Sequence, residues 1–331
     1  SVVDFGIKSL TLQNFRTYLH KRFAFEEIKS VVITGPNGVG KTNILEAISW
    51  LSPGRGLRRV TLLEALNNNL PPENPMGWGV NAAIINDQQM TTVGTGIIRD
   101  PYKNDWRRVV HVNQEPIKSI TQLNQYLTLQ WLTPNMDRLL VDSSSDRRQF
   151  FDRLVYAFDN SHAKRVSQYE LAQRERMRLL KSPSQDSNWL ETLEAKMSEL
   201  SVAIISSRLE LLEALNDKTH WVMANFPYCL LSFQGEVENM LQRGDSAAQA
   251  EAWLKNEFYK NRGIDTRLGI THCGAHRSDL QVRFADKHDI PVALCSTGEQ
   301  KICILGIIFA ACRLLVLQNN LNLLSNGVQD T

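Results

Sequence analysis

The chain has 331 residues, 37 of them Lys or Arg and 35 Asp or Glu, for a formal net charge of +2. At 43% hydrophobic and 22% charged residues it has the composition of an ordinary globular protein with a sizeable core, which excludes a disordered or fibrous chain. Its length fits two or three domains, or one large domain with an inserted element. The five cysteines (Cys229, Cys273, Cys295, Cys303 and Cys312) are odd in number and none stands as Cys-x-x-Cys. A disulfide framework is therefore not expected, and a reducing cytoplasm is.

Charge is spread unevenly. Residues 1–60 carry +5 and 99–181 another +5, whereas 61–98 carry −3, 182–260 carry −6 and 261–331 carry +1. Basic surface is thus concentrated in the first half, which favours a polyanion there over the plainer alternative of solvated faces. The longest apolar stretch, Ile302 to Cys312, has 11 residues. A membrane span needs about 20, so no membrane is expected as a partner and the stretch reads as a buried core helix. The N-terminal residues show no basic leader ahead of an apolar run, so no export signal is expected.

In chain order, alternation over residues 7–15 predicts a strand, followed by short strands at 23–25 and 31–34 ahead of a glycine-rich turn. A helix over 43–51 places Ile44, Leu45 and Ile48 on one face. A loop at 52–59 leads into strands at 78–85, 91–98 and 107–112, punctuated by Asn86-Asp87 and Asp100-Pro101, which is hairpin chemistry. The proline-rich 71–75 reads as an exposed loop. From about Asp146 the chain becomes long-helical, interrupted at Ser182-Pro183-Ser184. The second arm repeats Leu190, Leu193, Met197, Leu200, Ile204 and Leu211, a seam that predicts an antiparallel hairpin with the first arm. A β pattern returns after Pro227, and an apolar helix follows over 302–317.

The segment Gly35-Pro36-Asn37-Gly38-Val39-Gly40-Lys41-Thr42, followed by Asn43, fits G-x-x-x-x-G-K-[ST]. Glycines let backbone N–H groups turn inward around phosphate oxygens, and the helix that follows presents its positive end. Lys41 supplies a point charge to the β/γ-phosphates, and the Thr42 hydroxyl is placed to coordinate Mg²⁺. The motif sits between an apolar run and a helix, as its chemistry requires. Many unrelated functions use such a loop. A GTPase is not expected, because no Asp is followed by Gly three residues on and no Lys follows Asn or Thr.

The second motif is Cys295-Ser296-Thr297-Gly298-Glu299-Gln300-Lys301, ahead of the apolar helix. It looks like the signature of ABC-type ATPases, in which a serine and a glycine backbone receive a γ-phosphate from a second subunit. Alone the pattern is weak. Paired with a phosphate loop far upstream and a helical hairpin between, it becomes specific.

With these in place, the chain resembles the RecF family of bacterial recombinational-repair ATPases, relatives of the structural-maintenance-of-chromosomes proteins. The likeness includes Leu12-Gln13-Asn14-Phe15-Arg16, residues 35–43, Leu51-Ser52-Pro53-Gly54-Arg55 and Trp131-Leu132-Thr133-Pro134. It continues through Met136-Asp137-Arg138-Leu139, the stretches 147–154 and 169–180, and Gly274-Ala275-His276-Arg277-Ser278-Asp279-Leu280. The resemblance implies an α/β ABC-type ATPase head, a mixed β-sheet with a P-loop and an inserted antiparallel helical hairpin arm. On that reading residues 1–145 and 225–331 build the head and 146–224 the arm. It implies ATP and Mg²⁺ as ligands and an ATP-dependent homodimer. The implied partners are DNA at gaps and single-strand/double-strand junctions, with RecO and RecR, in loading RecA. Residues 35–43 would take the nucleotide, and Ser296, Thr297, Gly298, Glu299 and Gln300 the opposite subunit's nucleotide. Arg16 and Arg55 would reach phosphates, and Gln130 the metal. A degenerate relic that cannot cycle and a metabolic P-loop enzyme are the alternatives.

The sequence departs from the family at the end. The family follows the signature helix with a strand ending in an acidic pair; here residues 321–324 are the candidate start of that strand, no acidic pair follows, and Asp330 is isolated. The tail after about residue 315 reads as truncated or frame-shifted, no catalytic residue is identifiable, and hydrolysis is expected at or near background. Gly56, Leu57 and Ala275 are lesser departures. His272, Cys273 and His276 lack a fourth metal ligand, and Cys303 and Cys312 read as small core residues.

Overall fold

The computed structural model describes residues 5–25, 31–67, 69, 76–86, 89–100, 102, 105–183, 186–221 and 226–327. The proline-rich 71–75, Asp87, Pro101, Ser184 and Asp330 lie outside them. The chain divides into two compact units, residues 1–131 and 132–331.

The first unit is built on a six-stranded sheet. Its strands are β1 (Phe5–Phe15), β2 (Tyr18–Ala24), β3 (Gly79–Asn86), β4 (Gln89–Arg99), β5 (Trp106–Val112) and β6 (Glu115–Pro116). They pair in the order β2-β1-β3-β4-β5-β6, each pair antiparallel. Strand side chains alternate between faces, so Leu10, Leu12, Val80, Ala82, Val93 and Val110 share one face and are buried. Helix α1 (Lys41–Ser49) covers that face with Ile44 and Ala47, and Trp50 meets Trp78 at a centroid distance of 5.0 Å. Leu45, expected on the packed face, is instead 51% exposed.

The strand expected at 31–34 is not one: these residues join no ladder among the described strands. A strand is defined by backbone bonds to a neighbour, and without one Val32 stays 84% exposed. Only Ile33 packs against the core.

The second unit has a helical hairpin at its centre. Helix α2 (Ser144–Val155) leads into α3 (His162–Leu180), and α4 (Ser187–Leu215) returns antiparallel to α3. All six seam residues named from the sequence are buried. Strands β7 (Cys229–Gln234), β8 (Asp279–Phe284) and β9 (Ile290–Pro291) form a small antiparallel sheet. Between β7 and β8 lie α5 (Glu236–Gln242), α6 (Ala247–Lys260) and α7 (Arg262–Leu268), which the sequence reading missed. A legible signal was present: Ser246 and Gln249 cap α6 reciprocally, the S-x-x-Q box.

Helix α8 (Thr297–Gly327) is longer than expected and corrects the reading of the tail, because residues 321–324 are helical rather than the start of a strand. The sequence from Leu317 to Gly327 carries no β-branched residue, and those are the residues that favour a strand over a helix. The 297–318 part is long and apolar enough to cross a membrane, but half of it is buried in this protein. Cys303, Ile304, Ile307 and Ala311 face the core shared with β7 and β8.

Charges are buried in this unit, and they are paired. Arg208 forks onto both oxygens of Asp152 at 2.8 Å and donates to the Ala275 carbonyl at 2.7 Å, while His162 meets Asp152 at 2.8 Å. Burial alone would raise the Asp152 carboxyl; the Arg208 charge and the bonds from His162 and Arg208 outweigh it and hold the group well below the carboxylate range. Arg176 binds Glu194 at 2.9 Å, Asp265 at 2.7 Å and the Phe258 carbonyl at 2.7 Å, tying α3 to α4, α6 and α7. Removing one partner of such a pair costs about 3–5 kcal/mol.

Both ring nitrogens of His276 are hydrogen-bonded. Its Nε2 donates to the Thr271 carbonyl at 2.9 Å, so its Nδ1 accepts from the Tyr169 hydroxyl at 2.7 Å. Burial lowers its pKa from 6.5 to about 4. Between those values the unfolded chain binds the proton and the folded one does not, so stability falls as pH drops from about 6.5 to about 4. We expect the stability advantage of wild type over His276→Gln, measured by urea unfolding, to shrink by about 3 kcal/mol between pH 7 and pH 4. An advantage constant with pH would contradict this assignment.

Candidate nucleotide-binding site

The glycine loop is exposed from Gly35 to Val39 and buried at Gly40. Gly35, Gly38 and Gly40 all have positive φ, at 152°, 84° and 100°. At Gly40 the requirement is twofold, since a Cβ there would also lie 2.8 Å from Thr17 Oγ1 and 2.9 Å from the Tyr18 hydroxyl, so only glycine fits. Tyr18 donates to the Gly40 carbonyl at 3.3 Å, and the Asn43 amide donates to Thr17 Oγ1 at 3.1 Å. The β1–β2 turn therefore backs the loop. Helix α1 begins at once, with the Asn43 N–H bonded to the Gly40 carbonyl at 3.0 Å.

The Lys41 ammonium curls over this loop and donates to the carbonyls of Gly35 at 2.5 Å and Pro36 at 2.6 Å. The Thr42 hydroxyl is exposed and bonded to no described residue. A free hydroxyl beside a lysine at a helix N-terminus suits a phosphate chain and the hard cation that accompanies it.

The orientation of α1 depends on Glu46, which is fully buried. Arg16, at the end of β1, forks onto it at 3.0 and 2.6 Å, and Arg58 approaches at 3.2 Å. Arg16 also donates to the Glu64 carbonyl at 2.5 Å. The 52–59 loop is held from below by Arg108, whose guanidinium donates to the carbonyls of Gly54 (2.6 Å), Ser52 (3.3 Å) and Trp50, and to Thr95 Oγ1 at 2.9 Å. Burial lowers Arg108 to about 9. Arg55, between Gly54 and Gly56, is exposed at the loop tip without a partner among the described residues. Gly56 has φ 68° and lies against Ser49 and Trp50, where a Cβ would come within 3.0 Å, which accounts for glycine at that departure. Arg108, Arg58, Thr17 and Tyr18 were not singled out from the sequence. An arginine within an alternating strand was the one available hint.

The signature residues lie in the second unit. Ser296, Thr297 and Gly298 are exposed at the start of α8. Ser296 and Glu299 form a cap: the Ser296 N–H and hydroxyl donate to Glu299 at 3.0 and 2.9 Å. Lys287 donates to the same carboxylate at 2.5 Å. The Lys287 bond, then the Ser296 bonds, lower Glu299 to about 2. Gln300 is buried and donates to the Cys295 carbonyl at 2.9 Å, so it braces the turn from inside. Gln130 is half-buried in the segment that ends the first unit. No cluster of three metal-ligating side chains occurs among the described residues.

The family description "RecF/RecN/SMC N terminal domain" matches residues 6–320. A DNA replication and repair protein RecF from Agrobacterium fabrum strain C58 is 38% identical over 311 residues, 93% of this chain and 80% of that protein. Its counterpart from Caulobacter vibrioides is 39% identical over 313 residues, 92% of this chain and 79% of that protein. A solved structure of the recombination mediator protein RecF-ATP in the RecFOR pathway superposes with a TM-score of 0.78 at 21% identity, covering 94% of this chain and 81% of that one. That likeness establishes the fold: an α/β ABC-type ATPase head carrying a helical hairpin.

The Gly40 geometry makes a direct test. Gly40→Ala forces both a strained backbone and a clash with Thr17 and Tyr18, so we expect nucleoside triphosphate affinity, measured by calorimetry, to fall about tenfold or more. Unchanged affinity would show that the loop does not need this shape.

Proposed function

The chain belongs to the RecF family, and on that premise we propose that it binds ATP at residues 35–43 and acts on DNA in replication and recombinational repair. The observation that carries the proposal is the phosphate loop itself: left-handed glycines, a lysine folded over them, and a free hydroxyl one residue later. In this reading the β- and γ-phosphates replace the Gly35 and Pro36 carbonyls as partners of Lys41. Thr42 holds Mg²⁺, which offsets the phosphate charge. Arg55, exposed on a pinned loop, is the freer candidate for a further phosphate contact, while Arg16 works through Glu46 and Gln130 is assigned to the metal's surroundings.

The exposed Ser296, Thr297 and Gly298 face the γ-phosphate of a second copy, so that ATP joins two chains into a homodimer. Backbone N–H groups at the first turn of α8 supply the charge complementarity. Glu299 and Gln300 shape that turn rather than touch the nucleotide. The partners are those the family implies, gapped DNA and single-strand/double-strand junctions with RecO and RecR, in the cytoplasm. The boundaries 1–145, 146–224 and 225–331 remain the proposed division into head, arm and head.

Two variants separate the parts. Lys41→Ala removes the charge facing the phosphates and should abolish ATP binding in calorimetry; retained binding would remove the assignment of the loop. Ser296→Arg should leave nucleotide affinity intact yet block ATP-induced dimerisation, because the serine serves the opposite site. Light scattering that still reports an ATP-dependent dimer for Ser296→Arg would sink the signature assignment.

A further inference from the structure

The face of the six-stranded sheet turned away from α1 has a composition that packing does not explain. The six strands together contain one carboxylate, Glu115, and six Lys or Arg; of these cations Arg22 and Arg107 stand on the outer face, while Lys21, Arg99 and Arg108 share the parity of the core-facing residues. Glu115 pairs with Val112, a core-facing position, so it lies on the opposite parity from this face. Asp100 and Asp105 fall beyond the strand ends, in the β4–β5 connection.

The register defines the outer face. Arg22 pairs with Thr11, Thr11 with Asn81, Asn81 with Gly94, and Gly94 with His111, giving a row across five strands. Arg107, two positions along from Val109, shares this face with His111. The row runs from a cationic rim on β2 over small and neutral residues to a second rim on β5. Four inter-strand steps separate the rims by about 19 Å, and Arg107 and His111 stand about 13 Å apart along β5. Neither Arg22 nor Arg107 has an acidic partner among the described residues, and both are exposed. Beside β5 a cleft of about 530 Å³ is lined by Arg107, Arg108, His111 and Lys118 together with Ile98 and Ile117.

Edge cations by themselves deter strand-to-strand aggregation, and that accounts for Lys21 or Lys118. It does not account for Gly79. This strand glycine has no left-handed φ, and a Cβ placed on it would meet nothing within 4 Å. Among the described residues, neither backbone conformation nor contact with a Cβ requires a glycine there. One use of a strand glycine is to let a ligand or another backbone approach closely.

Resting on the DNA reading above, we propose that this outer sheet face is the platform for a nucleic-acid duplex, with the phosphate backbone held by Arg22 on one rim and by Arg107, His111 and Lys118 on the other. An uncharged floor between two cationic rims four inter-strand steps apart suits a broad, rigid polyanion rather than a single phosphate. The contacts are to backbone, so they confer no sequence preference.

The test uses the full chain and a fluorescently labelled gapped duplex, with anisotropy read across a salt series. The combined variant Arg22→Glu, Arg107→Glu, Lys118→Glu should lower affinity about tenfold or more and flatten the slope of log K against log salt by about 3. Gly79→Gln, which adds no charge and whose Cβ meets no described atom within 4 Å, should weaken binding as well. ATP affinity in both variants, measured by calorimetry, should match wild type and certifies that they are folded. With wild-type binding intact, an unchanged slope in the triple variant or an unchanged affinity in Gly79→Gln overturns the platform and leaves the DNA reading standing. Absence of DNA binding by the wild-type chain overturns both.

Discussion

A charge taken out of water is costly unless an opposite charge goes with it, and this protein places such charges where its elements must be held in register. Glu46 on α1 is fully buried and needs cations. They come from the end of β1 (Arg16) and from the loop after the helix (Arg58). One carboxylate thus ties strand, helix and loop together, and the helix it fixes is the one that presents the phosphate loop. The second unit repeats the device with Asp152 and Arg208, and with Arg176 between Glu194 and Asp265. Breaking one such pair costs about 3–5 kcal/mol, a large share of the 5–15 kcal/mol that hold a domain folded.

Against that rigid frame the ligand-facing groups are satisfied by exchangeable partners. Lys41 is bonded to two carbonyls of its own loop, neutral acceptors that a phosphate oxygen outcompetes because its bond is charge-assisted. Ser296 is engaged with Glu299, which Lys287 keeps ionised. A phosphate arriving at the signature turn would meet free backbone N–H groups first and would have to compete with a carboxylate for the hydroxyl. Both motifs therefore stand in formed turns before any ligand arrives, which lowers the ordering cost of binding.

Much of this was legible in the chain itself. The phosphate loop could be located because its chemistry is local: glycine conformations, a lysine and a hydroxyl are required at fixed spacing within eight residues. The α3–α4 seam was legible because 3.6-residue periodicity writes a buried face directly into sequence. Helices α5 and α7 have only seven residues each, too few to carry a periodicity, whereas α6 was legible, burying Ala250, Leu254 and Phe258 at i, i+4 and i+8 against one core. The strand expected at 31–34 failed for a related reason: an apolar run states that a segment can pair, not that a neighbour is there to pair with it. Residues 321–324 failed likewise, since leucine serves helix and strand and the preceding turns of α8 simply propagate.

The sequence by itself determined the family, the positions of the glycine-lysine loop and of the Ser-Thr-Gly turn, and the helical hairpin, because each depends on residues close together in the chain. Only the tertiary structure decided which arginine does what. Arg16, Arg55, Arg58 and Arg108 are alike in sequence, yet one forks onto Glu46, one is exposed at a loop tip, one approaches the same carboxylate, and one holds four acceptors from within the sheet. Their roles follow from the carboxylates and carbonyls that long-range folding brings within about 3 Å, the reach of a hydrogen bond. The same holds for the outer sheet face, whose cationic rims come from β2 and β5, more than 80 residues apart in the chain. Strand register alone aligns them, and register is a property of the paired sheet rather than of any one strand.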